Sequence, residues 1–374
     1  MVQLFGRSWT QRELARRIGL VSQVGDVRLA ERLEGIGRGV RTAEFETGSG
    51  FSFTVLLDRG MDIAHAEYCG RAIAWRSATE DAHPHFHEPE GLGFLRTFGG
   101  GLVTTCGLAW MGAPVHDPGA APKRLGPRDL GLHGYIGHTP AKNVYADAAW
   151  EGDDYRIWLR GRCQETLVFG ENLVLTREIS TRLGENRFWI HDRVENAGYE
   201  PAEHMMLYHV NIGFPAIDAG ARLLAPSRAA TPRDAEAAAG AERWAECDPP
   251  TPGYHEKVYF HDLAAAPDAT TATALVNRDL GHGVYVRFSL QELPCFTEWK
   301  MMGPATTSWG WSRPPRSRSV ASTSARRAGC DGSRRRSAWN TTSRSACSPA
   351  PPRSTRSRRR SARGWGSGGS APPP

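Results

Sequence analysis

Along most of this chain apolar and polar residues alternate with the period of an extended strand, not that of a helix. Short runs of this kind cover 50–57, 71–75, 101–105, 155–161, 173–179, 188–194, 204–210, 257–260 and 283–290. Gly, Pro, Asp and Asn punctuate them, which predicts strands joined by tight turns. Gly184-Glu185-Asn186 lies between two such runs and predicts a hairpin. Helical spacing is confined to residues 9–18, WTQRELARRI, where Thr10 can cap and Glu13 follows three residues on. Residues 228–252 are rich in Ala, Pro and charge and read as a surface loop or short helical insert. Many closely spaced strands and almost no helix predict an all-β sandwich or barrel, not a βαβ fold.

The pattern stops near residue 304. From 305 to 374 the chain holds fifteen Arg, no Lys and a single acid, Asp331, and no Leu, Ile, Phe, Tyr or Met. That stretch carries +14, which leaves the first 304 residues at −8 against a chain total of +6. The basicity therefore belongs to the tail, and the body is mildly acidic. Two units follow: a body, 1–304, and an Arg/Ser/Pro-rich tail, 305–374, with too little apolar surface to fold. The tail has three readings. It is a basic arm for polyanions, a solvated tail without a role, or the product of a shifted reading frame. The third accounts best for the composition. If each codon begins on the third base of the printed one, Trp339-Asn340 forces a Glu and 338–342 can read VEYH. The same shift permits DDFVGLEPA around Trp309 and Trp311.

The bulk numbers exclude other classes. No run of eighteen apolar residues suits a membrane span, and no basic-then-apolar leader opens the chain. Five Cys lie scattered in the body, Cys69, Cys106, Cys163, Cys247 and Cys295, without a paired spacing. They fit reduced thiols in a cytoplasmic protein better than a disulfide frame or a zinc knuckle.

Four segments place polar side chains where apolar ones are the default. In Leu57-Asp58-Arg59-Gly60-Met61-Asp62-Ile63 a strand ends in two acids and an Arg. Arg59 and Asp62 can bind polar oxygen groups at a cleft rim, or form a turn ion pair of little consequence. In Leu130–His138 the glycines around His133 and His138 let the backbone approach a ligand. In Met206–Pro215, His209 and Asn211 share one strand face, while Tyr208 and Val210 share the other. In Phe296-Thr297-Glu298-Trp299-Lys300, Glu298 and Lys300 share a face opposite Trp299. Carboxylates beside aromatics suit a sugar, which offers both hydroxyls and an apolar C–H face. The string HPHFHEP, with His83, His85, His87 and Glu88, could supply metal ligands. Pro84 and Pro89 mark it as a loop, and no metal or cofactor is expected.

The order DRGMDI, GGGLVTTCGL, LHGYIGHTPA, LYHVNIGFP and EWKMMG, with WTQRELARRIGLVSQVG at the start, resembles a bacterial family of largely uncharacterised aldose-1-epimerase-like proteins. That family belongs with the galactose mutarotases, and the resemblance covers roughly residues 5–304. It implies a large antiparallel β-supersandwich with an open sugar-binding face, one short N-terminal helix and a disordered C-terminal tail. It implies a small carbohydrate as partner, and nucleic acid only non-specifically through the tail. The His133-Gly134 pair is similar to the mutarotase HG motif, whose His binds near the ring oxygen. His209 is similar to the mutarotase acid. Arg59, Asp62, Asn211, Glu298, Lys300 and His138 are the expected substrate contacts. The base of related mutarotases is a Glu in a context such as V-C-L-E-P, and here the only similar string, GLEP, occurs in the alternate frame. An aldose 1-epimerase-like isomerase with weak or lost catalysis is therefore expected. Its rivals are a non-catalytic carbohydrate-binding protein, or an isomerase or lyase on the same fold. Loss of the late strands would also leave a sheet edge unpaired.

Overall fold

The computed structural model describes residues 1–118, 126–306, 308–312, 338–346 and 348–349, with the backbone alone from 309 on. The strands that build its two layers are, in chain order, β1 (Asp26–Glu31), β2 (Arg41–Glu46), β3 (Phe51–Leu56), β4 (Asp62–Tyr68), β5 (Val103–Leu108), β6 (Lys142–Glu151), β7 (Asp154–Thr166), β8 (Asn172–Arg182), β9 (Trp189–Asn196), β10 (Met205–Ile212), β11 (Ser227–Pro232), β12 (Lys257–Leu263), β13 (Phe296–Met301), β14 (Ser308–Ser312) and β15 (Ala338–Ala346). The main sheet runs in the order β11-β12-β13-β14-β10-β5-β4-β3-β2-β1, and every pair in it is antiparallel. A second sheet, β6-β7-β8-β9-β15, packs on one face of it. A smaller sheet built on Thr270–Asn277 and His282–Ser289 extends that second layer, with Phe288 stacked on Phe296 at 6.2 Å.

The expected all-β sandwich is therefore the observed fold. The Gly184 hairpin is present: β8 and β9 pair from Ser180↔Trp189 outward, and Gly184 has φ +84°. The N-terminal helix is shorter than its pattern, α1 (Gln11–Ala15), closed by a Thr10/Glu13 capping box. The Ala-rich insert forms one turn, α2 (Ala235–Ala238), capped by Asp234. No helix among the described residues is long and apolar enough to cross a membrane. The five body cysteines are free thiols.

Of the segment expected to be a disordered tail, Ala305 and Thr306 lie in a turn and the other described parts are strands: β14, β15 and Ser348–Pro349. The rest of that expectation lies outside the described residues. β14 fills the gap between β10 and β13, so no edge opens there. Backbone N–H and C=O groups pair without apolar side chains, which is why composition misses these strands.

One ionic knot fastens the two layers. Arg177 on β8 is fully buried and grips both carboxylate oxygens of Asp192 on β9, at 2.9 and 2.7 Å. It also donates to Gly60 O and Thr105 Oγ1 of the main sheet, at 2.9 and 2.8 Å. Tyr208 on β10 donates to Asp192 across the gap, at 2.6 Å. Around this knot lies apolar packing that includes Phe45, Phe51, Phe53 and Phe188.

Candidate functional site

Tyr208 points into the sandwich, so strand alternation turns His209 and Asn211 to the outer face of the main sheet. Loops 75–98 and 131–138 roof that face. His209 packs edge-on against Trp299 of β13 at 5.5 Å and against Phe98 at 5.7 Å. His133 comes to 6.1 Å from it, also edge-on. Phe94 lies between His133, at 5.1 Å, and His138, at 5.6 Å. His87 stacks flat on His138 at 3.8 Å. Four imidazoles from separate parts of the chain thus meet within an aromatic frame completed by Trp75, 5.8 Å from Phe98.

The turn that presents His133 is built around a glycine. His133 and Gly134 both have positive φ, +63° and +70°, and His is among the residues that tolerate this region. A Cβ on Gly134 would lie 2.3 Å from Trp110 O and 2.6 Å from Gly107 O. The turn is fastened to the end of β5 by Gly107 N donating to His133 O at 3.0 Å and Tyr135 N to Gly107 O at 3.1 Å. Glu165, reaching from β7, holds that strand end by accepting from Leu108 N and Ala109 N at 2.6 and 3.1 Å. Burial pushes the Glu165 carboxyl up to about 7.

Burial also sets the charge of the imidazoles. It depresses His209 to about 4, and it depresses His133 to about 3 with help from His209. His138 is lowered further, by burial and then by Arg59, and His87 is lowered by the same causes. His209, the residue similar to the mutarotase acid, is thereby held in its neutral form at pH 7. His138 Nε2 faces Arg59 Nη2 at 3.1 Å and Thr97 Oγ1 at 2.8 Å. A guanidinium can only donate, so Nε2 accepts and Nδ1 carries the hydrogen.

Several polar atoms here have no protein partner: Nδ1 of His133, His138 and His209, both ring nitrogens of His87, Asn211 Oδ1 and Trp75 Nε1. Buried polar atoms are satisfied in most folded proteins, so a cluster of unpartnered ones among aromatic rings sets this region apart from the rest of the described core.

Of the expected contacts, His133, His138, His209, Asn211 and Arg59 come together. Asp62, Glu298 and Lys300 do not. Asp62 faces the sandwich interior, where its Oδ1 accepts from Thr105 N at 2.9 Å and lies 3.6 Å from Arg177. Burial pushes its carboxyl up to about 7. Glu298 and Lys300 share their face with Phe296, a core residue. Glu298 Oε2 meets His261 Nε2 at 3.0 Å, and Lys300 Nζ donates to Glu246 O and, at 3.3 Å, to Arg243 O. Trp299, on the opposite face, is the residue of that strand that faces His209. The legible signal was Phe296: once it is counted as core, period two sends Glu298 and Lys300 inward with it.

Three residues were missed. His87 was read only as a metal candidate. Phe98 was not singled out. Glu256 binds Trp299 Nε1 at 2.6 Å and Arg233 Nη2 at 2.9 Å, and its charge favours protonated His209. The HPHFHEP imidazoles do not converge: Pro84–Phe86 is a 3-10 turn, His83 Nδ1 accepts from His85 N, and only His87 enters the site. Among the described residues no three His, Cys, Asp or Glu are grouped to hold a metal ion.

Comparison with known proteins places this geometry. A family described as a domain of unknown function (DUF4432) matches residues 37–330. A solved structure named "putative aldose 1-epimerase", from Klebsiella pneumoniae subsp. pneumoniae MGH 78578, superposes with TM-score 0.72 at 25% identity, covering 86% of this chain and 82% of that one. A galactose mutarotase-like protein from Clostridium acetobutylicum gives TM-score 0.52 at 11% identity over 87% and 98% of the chains. The Slr1438 protein from Synechocystis sp. PCC 6803 gives 0.51 at 14% over 86% and 99%. These last two share the fold. No curated protein matches the sequence.

Proposed function

The chain belongs to the DUF4432 family, and from that premise we propose that its imidazole face binds a sugar or sugar acid and is built to interconvert its anomers. The observation that carries this reading is the meeting of His133 and His209 at 6.1 Å with unpartnered ring nitrogens, beside Trp299. The reaction needs two proton movements. A base takes the proton of the anomeric hydroxyl, and the freed electron pair forms the carbonyl as the bond from C1 to the ring oxygen breaks. The ring oxygen takes up a proton. The carbonyl carbon turns over, and the reverse steps close the ring on its other face. Neutral imidazole N–H groups of His133 and His209 suit hydrogen bonding to the ring oxygen as it gains charge.

The base is the weak point of the chain as it stands. β14 runs beside β10 with Val210↔Trp311, and beside β13 with Thr297↔Ser312. One step along the first register sets position 312 next to His209, between it and Thr297. Counted from position 306, the alternate-frame string DDFVGLEPA delivers its Glu at 312. The printed residue there is Ser312. In this reading the printed chain binds sugar and equilibrates anomers poorly. The body and tail are one interrupted domain, and cytoplasmic sugar metabolism is the setting.

Proton NMR on freshly dissolved α-anomers tests this with three proteins: the printed chain, Ser312→Glu, and a chain with the frame restored from 306. Anomerisation above the buffer rate should appear in the restored chain and be lost again in His209→Gln. Buffer-rate equilibration in all three, with sugar still bound, would leave the non-catalytic carbohydrate-binding protein, which Ser312 itself favours.

A further inference from the structure

One end of the site carries more positive charge than its acids balance. Arg59 is only 4% exposed. Its guanidinium donates to Ala82 O and Thr97 O, each at 2.8 Å, and to His138 Nε2 at 3.1 Å. All three acceptors are neutral, and among the described residues no carboxylate forms an ion pair with it. Close by, Arg76 and Arg32 share a single acid, Asp81, at 2.9 and 3.4 Å. Two further acids are committed elsewhere. Asp62 is turned to Thr105 and Arg177 beneath the sheet, and Glu88 pairs with Arg96 at 3.1 Å. Among the described residues, Asp81 is thus the one carboxylate that forms ion pairs with any of these three guanidiniums. Arg76 Nη1 and Arg32 Nε are buried without any partner.

This end is continuous with the imidazole face. Trp75 N donates to Asn211 O at 3.0 Å, Arg76 bridges to Gly100, and the Trp75 ring touches Phe98, which touches His209. A buried cation without a counter-charge is costly. An oxyanion arriving with the ligand would remove that cost, and the planar guanidinium fork matches carboxylate and phosphate oxygens.

We propose that the sugar taken by this site bears a negatively charged group, a carboxylate or a phosphate, and that this group docks on Arg76 beside buried Arg59. The proposal rests on the sugar-binding reading above and narrows it to one substrate class.

Calorimetric titration of the full chain tests it, with the gluco, galacto and manno forms of three probes: the neutral hexose, its uronate and its 6-phosphate. At least one anionic sugar should bind tenfold or more tightly than its neutral parent. The ratio should shrink at 0.5 M salt and fall toward one in Arg76→Gln, with Arg32→Gln as the second variant. The preferred probe, uronate or phosphate, identifies the oxyanion. Neutral hexoses binding as tightly as both anionic forms would overturn the anion proposal and leave sugar binding in place. A preference that survives both variants would overturn the docking position. No binding by any probe would remove the sugar-binding reading as well. Thermal melts of each variant identify a loss that reflects unfolding.

Discussion

Replacing His209 with Gln should flatten the acid side of the stability profile. His209 is 8% exposed and held at about 4 by burial, against 6.5 for an exposed imidazole. A histidine depressed in the folded state takes up its proton on unfolding. Its contribution is therefore fully present above about 6.5 and lost as pH falls toward about 4. Between pH 7 and pH 4.5 the linkage relation assigns this one group about 2.5 kcal/mol of lost stability, with a slope near 1.2 kcal/mol per pH unit around pH 5.5. Glutamine keeps a planar polar side chain and does not titrate, so His209→Gln should lose about that much less than the parent over the same interval. Urea unfolding of both proteins at half-unit steps from pH 7 to 4.5 measures the difference directly. Parallel profiles would show that His209 is solvated or already charged, and the neutral-imidazole account of the site would fall with it.

Breaking the interlayer knot should be costly: Arg177→Met leaves Asp192 buried with only the Tyr208 hydroxyl, so a loss of about 3–5 kcal/mol is expected in chemical denaturation, and a loss under about 1 kcal/mol would contradict it. Gly134→Ala should cost about 1–3 kcal/mol from its positive φ alone, with the two close carbonyls adding to that. His133 should shift as well, read as a changed His133 imidazole resonance. Glu165 works in the sense opposite to His209. Its folded value of about 7 lies above the unfolded one, so its stability contribution is present at low pH and lost as pH rises through 7. Glu165→Gln should therefore flatten the alkaline side of the urea-unfolding profile, and an unchanged slope between pH 5 and 8 would refute the burial argument. Trp299→Ala should weaken sugar binding tenfold or more in the same calorimetric titrations while the sandwich core stays intact.

How far the sequence could be read followed from what each inference needed. Period-two alternation needs only one chain, and it found β3, β5, β7, β8, β9, β10 and β12 together with the split of His209 from Tyr208, while β2, β4 and the ten-residue β6 were not among its runs. It missed β1, whose side chains are half-buried at Asp26 and Val27 and exposed from Arg28 on, so the strand has no buried face to imprint a pattern. It missed β14 and β15 because their pairing is carried by backbone groups. The site residues divide on the same line. His133, His138 and His209 could be named because each sits where apolar residues are the default, and the motif order supplied their common purpose. Glu256 could not, because it stands in an ordinary polar loop. Only the fold brings it to Trp299, 43 residues on in the chain.

Charged residues caused the substantive errors, and for one physical reason. An acid or a lysine on a strand was read as facing water or ligand, since burying a charge is costly. This protein meets that cost three times inside its sandwich. Asp62 is served by the Thr105 amide, Glu298 by His261, and Lys300 by backbone carbonyls. Each partner comes from another strand or loop, so no local pattern could announce it. Arg59 is the instructive contrast. Sequence proposed it as a ligand contact, and the structure brings it to the imidazoles with neutral acceptors and no ion pair among the described residues. The buried acids facing inward are completed by their own chain; the buried arginine beside four imidazoles has no carboxylate ion-pair partner among the described residues. On the proposed sugar-binding reading, that asymmetry makes Arg59 and Arg76, not Asp62, Glu298 or Lys300, the residues expected to set ligand charge preference, which the Arg76→Gln titration checks.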